Sequence, residues 1–183
     1  YEILDRYDRG EILSADSIRI DSTQIFTTGT GRNVYGGGGI IPDIFVPSDT
    51  AGVTSYYIKV ANAGLLRKFA YEYSDLNRER LNEARNTAEL LTMLPADNIL
   101  LQSFVNYASV KGKVPPRWYY INISAPLIVS QIKALIARDI VGMDGYFEII
   151  NSTDPVVTEA IRQIETGGAD FPLTDHHPEV PEQ

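Results

Sequence analysis

His176 and His177 stand side by side between Asp175 and Glu179, and they are the only imidazoles in a chain without cysteine. Histidine beside carboxylate is donor chemistry for a divalent metal, but a working site fixes each ligand from behind with a packed partner. These four residues lie in a polar, proline-rich stretch that reads as a tail, so adventitious binding is the ordinary reading. The acidic pairs Asp5/Asp8 and Asp139/Asp144 lack the D-x-[DN]-x-[DN]-G spacing of a calcium loop. A nucleophilic serine needs a base within hydrogen-bond reach. Ser14, Ser17 and Ser22 lie near the front of the chain and the histidines at its far end. Lys59, Lys68, Lys111, Lys113 and Lys133 leave a Ser–Lys pair open by composition, yet none has a serine context that singles it out. The lack of cysteine excludes disulfides, a thiol nucleophile and Cys-ligated metal. No catalytic set, cofactor site or metal site emerges.

The glycine run in GRNVYGGGGIIPDIFVP, residues 31–47, invites a phosphate-binding reading. A phosphate loop needs GxxxxGK[ST], or GxGxxG between a strand and a helix. Here no lysine follows, Asp43 has the wrong sign, and the next segment is extended. Glycines of this kind serve backbone geometry, a bend or a close crossing of chains.

Sixteen basic against twenty-four acidic residues give a net charge of −8, which argues against nucleic acid as a partner. The densest basic cluster, Arg78, Arg80 and Arg85, alternates with Glu79 and Glu83 and reads as a salt-bridged helix surface. No run approaches 18 apolar residues, so no transmembrane helix is expected. No signal peptide is visible, and an opening YEILDRYDRGE without methionine suggests a domain cut from a longer protein. The sequons at Asn122 and Asn151 also fit helix-entry positions, the preferred reading. Trp118, Tyr119 and Tyr120 beside Pro115 and Pro116 fit a recognition surface and a domain-capping cluster equally.

The elements divide into two kinds. SIRI (17–20), QIFTT (24–28) and DIFV (43–46) read as short strands between turns. From residue 54 the period lengthens to that of helices. Thr54 predicts a cap, Gly64 either a tolerated position or a break, and Leu65, Leu66, Phe69, Ala70 and Tyr73 form one apolar stripe. Leu81, Ala84, Ala88 and Leu91 are the candidate inner side of the next segment, which Pro95 stops. Asp97 or Asn98 then caps a helix with Leu100, Leu101, Phe104, Val105 and Ala108 inward, ended by Lys111-Gly112. Ser124 is read as the start of the strongest helix, with Ile128, Ile132, Leu135, Ile136 and Ile140 on its apolar face. GYFEIIN reads as strand or extended link, and Asp154-Pro155 begins a helix burying Val156, Val157, Ala160, Ile161 and Ile164.

YDRGEILSADSI (7–18), the glycine segment 31–47 and DT (49–50) resemble the C-terminal part of S41-family C-terminal processing peptidases of the Bacteroidetes form. By that resemblance Gly36, Gly37, Gly38, Gly39, Ile40, Pro42, Asp43, Ile44 and Val46 close a protease core. LDRYDRGE (4–11) would then be an insertion before the closing strand, and the later helices a C-terminal extension. The family's Ser-Lys dyad and PDZ domain belong to motifs absent here, so no residue inherits a catalytic role. The resemblance implies a periplasmic or envelope location, an upstream protease core as partner and protein substrates for the parent enzyme.

The resulting expectation is an α+β, predominantly helical chain. Residues 1–50 form a small β element packed on a helical domain of four or five helices at 51–167, followed by a flexible tail at 168–183. In function it would be a non-catalytic fragment of a serine-type endopeptidase that needs no cofactor. The alternative is a stand-alone helical protein-interaction module. The strand at 43–46 is expected to rest on helices, on a hairpin with 24–35, or on a second copy in a homo-oligomer.

Overall fold

The charged front, to which no regular element is assigned from the sequence, is a helix, α1 (Glu2–Asp8). Glu11 follows it, nearly buried, and accepts Arg6 Nε at 2.7 Å and Arg9 at 2.8 Å, so both charges are met locally. The hydrogen bonds from Arg6 and then Arg9 hold the Glu11 carboxyl below the usual carboxylate range. The structure, a computed structural model, describes residues 2–18, 23–29, 31, 33–36 and 42–167. Among these residues the chain is mostly helical, with nine α-helices and one two-stranded sheet. It forms two compact units, residues 49–158 and residues 1–48 together with 159–183.

In the unit that holds residues 1–48, β1 (Ile25–Thr27) and β2 (Asn33–Tyr35) pair antiparallel, Ile25 opposite Tyr35 and Thr27 opposite Asn33. Gly31 takes the positive φ of 85° that the connecting turn requires. The expected strand at 17–20 is not formed in its described part: Ala15–Ser17 is a single 3-10 turn. Nor is there a strand at 43–46. Asp43 and Ile44 bend, and residues 45–50 run irregularly. Pro42 and Pro47 bracket that stretch without an N–H to donate, which leaves little for a ladder.

The helical unit begins where Thr54, in extended backbone, accepts the Tyr57 amide at 3.4 Å and opens α2 (Ser55–Asn62). Gly64, left-handed at φ 66°, breaks the chain before α3 (Leu65–Leu76). There follow α4 (Arg78–Leu81), α5 (Thr87–Met93), α6 (Asp97–Val110), α7 (Trp118–Ile140), α8 (Met143–Asn151) and α9 (Pro155–Glu165), the last crossing the division between units. Four or five helices were too few because Asn77 and Asn86 interrupt what composition shows as one polar helical stretch. Asn86 restarts the chain by accepting the Glu89 amide at 2.9 Å. That restart shifts the inner register, so Thr87 and Leu90 are buried while Ala88 and Leu91 face out. All five inward residues expected of α6 are buried.

Two corrections concern α7 and α8. Ser124 does not begin a helix; α7 starts at Trp118 and carries Pro126 inside it. GYFEIIN is helical because Gly142, at φ 107°, turns the chain back and Gly145 allows close packing. A Cβ on Gly145 would lie 3.2 Å from Thr87 Oγ1 and 3.4 Å from Ala137 Cβ. Consequently Asn122 lies within α7 and Asn151 ends α8, so neither sequon asparagine is at a helix entry. Asp154 does cap α9, accepting the Val156 amide at 2.7 Å, but no residue of α9 is buried.

By length and composition α7 would suffice to cross a membrane. In this fold it is the central helix, touching α2, α3, α5, α6 and α8 and burying Ile121, Ser124, Ile128, Val129, Ile132, Ala134, Ile136 and Ala137. Ser124 ties it to α2 through a hydroxyl relay. Ser124 Oγ donates to the Gly52 carbonyl at 2.7 Å and accepts Thr54 Oγ1 at 2.7 Å, while Thr54 accepts the Tyr57 amide. Ser124→Ala leaves the Gly52 carbonyl without its donor and the Thr54 hydroxyl with only its longer bond, 3.4 Å, to the Tyr120 carbonyl. Urea unfolding should show a loss of about 1–3 kcal/mol, and a change under about 0.5 kcal/mol would contradict the relay.

Tyr107 on α6 packs edge-on against Phe69 of α3 at 5.4 Å and donates to Glu72 of α3 at 2.6 Å. Desolvation first, and the Glu72 bond second, push its pKa up to about 12 from the ordinary phenol value of 10.0. A raised folded pKa gives stability that is intact below pH 10 and lost as pH rises toward 12. The stability difference between the parent and Tyr107→Phe should therefore shrink across that window; a constant difference rules the coupling out.

Candidate functional site

Of the glycine-segment residues, Gly36 has a clear structural role. Its amide donates to the Gln24 carbonyl at 2.7 Å, extending the hairpin, and a Cβ there would sit 2.8 Å from the Phe26 ring. Gly37, Gly38, Gly39 and Ile40 lie outside the described residues. Pro42 and Asp43 are exposed, and Ile44 and Val46 half-buried. Among the described residues no cluster of three His, Asp or Glu side chains could hold a metal, and His176 and His177 lie outside them.

The arginine cluster is used for structure. Arg78 bonds Asp75 and Asp139, each at 2.7 Å, Arg80 bonds the Met93 carbonyl at 2.6 Å, and Arg85 pairs with Glu89 at 3.7 Å. A different set of cations is left over. Residues 50–71 hold Lys59, Arg67 and Lys68 without one acidic residue, and residues 98–138 hold Lys111, Lys113, Arg117, Lys133 and Arg138 without one. In a chain of net charge −8 this is a sharp segregation. Lys59, Arg67, Lys68, Lys111, Lys113 and Arg117 are exposed, and none forms an ion pair among the described residues.

The loop between α6 and α7 gathers them. Gly112 and Val114 both donate to the Ala108 carbonyl at 3.1 Å, folding the loop back over the end of α6. Gly112 passes so close to Leu65, the first residue of α3, that any side chain there would strike it. That places Lys111 and Lys113 beside the first turn of α3, which carries Arg67 and Lys68. Lys113 itself is held at φ 55°, where a non-glycine residue is strained by roughly 1–2 kcal/mol. Val114, Pro115 and Arg117 then line a small cleft with Ser55, Tyr56 and Lys59 of α2. Its volume of about 20 Å³ admits a water or one small polar group. Trp118 and Tyr119 follow directly, 42 % and 73 % exposed, with Tyr119 edge-on to Tyr120 at 5.3 Å. The aromatic trio is thus split: Tyr119 and Trp118 face out and Tyr120 packs on the core. The sequence signal for this site was the pair of acid-free runs, which a search for the highest local density of basic residues passes over.

A protein-family model described as a family of unknown function, DUF8443, matches residues 56–142, within the helical unit that carries the cationic end. No curated protein and no solved structure matches the chain. These findings correct the peptidase reading: the match is to a family of unknown function and links the chain to no serine endopeptidase. The physical counterpart is at 43–46, where the strand that would close a protease core is absent. Short glycine- and proline-rich stretches match by turn composition, which many folds share.

Tyr56 borders the cleft and is buried, and its hydroxyl has no hydrogen-bond partner among the described residues. Desolvation raises its pKa, so the phenol stays neutral. Leaving such a group unpaired costs about 1–3 kcal/mol. Tyr56→Phe should therefore match or exceed the parent in thermal and urea unfolding, and a clear loss would show that the hydroxyl has a partner in solution.

Proposed function

We propose that this chain is a non-catalytic helical docking module that binds a partner protein through the start of α7. One observation carries the reading: Trp118 and Tyr119 are exposed on the first turn of the helix that the whole unit packs around. Large aromatic side chains held by a rigid element lose little freedom on binding, and Trp and Tyr dominate the energetics of protein interfaces. Pro115 and Pro116, separated from them by Arg117, limit the motion of the loop that leads in. No hydrogen bond among the described residues joins Ser55 to Lys59 at this end, which offers apolar area and cations without ion-pair partners.

The test is affinity capture on the full chain from an extract of its source cells, comparing the parent with Trp118→Ala/Tyr119→Ala. A partner retained in near-stoichiometric amount by the parent should drop about tenfold or more with the variant. The variant's loss of melting temperature should be modest, and far-UV circular dichroism establishes that it is folded, since Tyr119 is 73 % and Trp118 42 % exposed. Equal recovery of the same proteins by both chains, or nothing above background with either, overturns the proposal.

A further inference from the structure

We infer that the partner segment is acidic: the cationic end of the helical unit receives a short carboxylate-rich peptide. One carboxylate would seat between Lys59 and Arg117 beside Ser55, and its neighbours would meet Lys111, Lys113, Arg67 and Lys68. This rests on the docking reading and adds the chemistry of the ligand. Three observations support it together. The six cations are exposed and unpaired, whereas Arg78, Arg80 and Arg85 are all satisfied within the chain. Lysine occupies the left-handed position at residue 113, where glycine would relieve the strain, so a charge is kept at a conformational cost. The cleft between Lys59 and Arg117 is the size of a single small polar group, and Ser55 at its edge begins α2, whose first amides and dipole also favour an anion.

The same observations separate a peptide from other anions. Twenty-four acidic residues lie outside the two acid-free runs. A long polyanion such as nucleic acid would run from the patch onto acidic surface and be repelled. A short segment ends within it. A lipid phosphate carries ester substituents on both sides and fills more than the cleft offers, while a side-chain carboxylate enters on a flexible stem. Arginine binds carboxylate through a planar fork, and lysine adds mobile point charge around it.

The experiment uses the full chain and a fluorescein-labelled peptide of five Asp-Glu repeats, with an Asn-Gln peptide of equal length as the neutral control. Fluorescence anisotropy at low salt should show binding of the acidic peptide only. Affinity should fall as salt shortens the screening length to about 8 Å near 0.15 M. Lys59→Glu/Arg117→Glu should weaken binding by about tenfold or more, whereas Arg85→Glu, outside the patch, should change it by less than about twofold. Far-UV circular dichroism and melting of each variant establish that it is folded; Lys111→Glu/Lys113→Glu, on the loop alone, is a second reading of the same effect. Equal binding of both peptides, equal loss in Arg85→Glu, or tighter binding of a single-stranded oligonucleotide or of phosphatidylglycerol vesicles overturns the inference. Loss of partner capture in Trp118→Ala/Tyr119→Ala without acidic-peptide binding would leave the docking reading standing and remove only the acidic ligand.

Discussion

Burial of one side of α7 is the interaction on which the helical unit rests. Ile121, Ile128, Val129, Ile132 and Ile136 are out of water, and each such side chain contributes about 1.5–3 kcal/mol. Their combined contribution exceeds the roughly 3 kcal/mol that a proline costs inside a helix, which is why α7 runs through Pro126 without ending. Ala134 and Ala137 are buried on the same helix, and their small side chains leave room for close neighbours. Gly145 exploits that room, and so α8 can lie against α7.

Fixing α7 also fixes its two ends, and they differ in electrostatic character. At the far end Asp139 receives Arg78 from α4, which also holds Asp75, so opposite charges meet and are neutralised. At the near end the relay from Ser124 through Thr54 secures the start of α2, and Leu65 presses on Gly112 from α3. Both constraints bring positive side chains together, and no acidic residue from those segments is present to meet them. The cationic end is therefore a product of packing: hydrophobic contacts choose which helix ends are neighbours, and charge follows.

Among the described residues, backbone strain and one of the two unpaired buried hydroxyls lie at that same end. Lys113 is the described non-glycine residue at positive φ, and Tyr56 carries a buried hydroxyl without a partner beside the cleft. The second orphan, Ser74, is fully buried on α3. By contrast the glycine hairpin, the most conspicuous feature of the sequence, has a local explanation at Gly36: a side chain there would collide with Phe26. Conspicuous composition and the proposed docking surface are in different units of this protein.

The sequence by itself determined the helices whose boundaries are chemical and local. Thr54, Asp154, Pro95 and Gly64 act through capping, a missing donor or a left-handed φ, and each works within a few residues. It also determined the inner faces of α3 and α6, since their apolar residues recur at the helical period. Tertiary structure decided the rest. GYFEIIN became α8 because Ile149 and Gly145 pack on the helices beside them, which overrides a strand-like local preference. The stripe of α9 is not buried by any of the described residues, although its periodicity is as clean as any in the chain. Lys59, Arg67, Lys68, Lys111, Lys113 and Arg117 lie in two separate acid-free runs of the sequence, which show an excess of charge but not that the charges are neighbours. They are gathered at one end because the end of α6 and the start of α3 meet at Gly112 while the loop that follows borders α2, and those contacts join residues tens of positions apart.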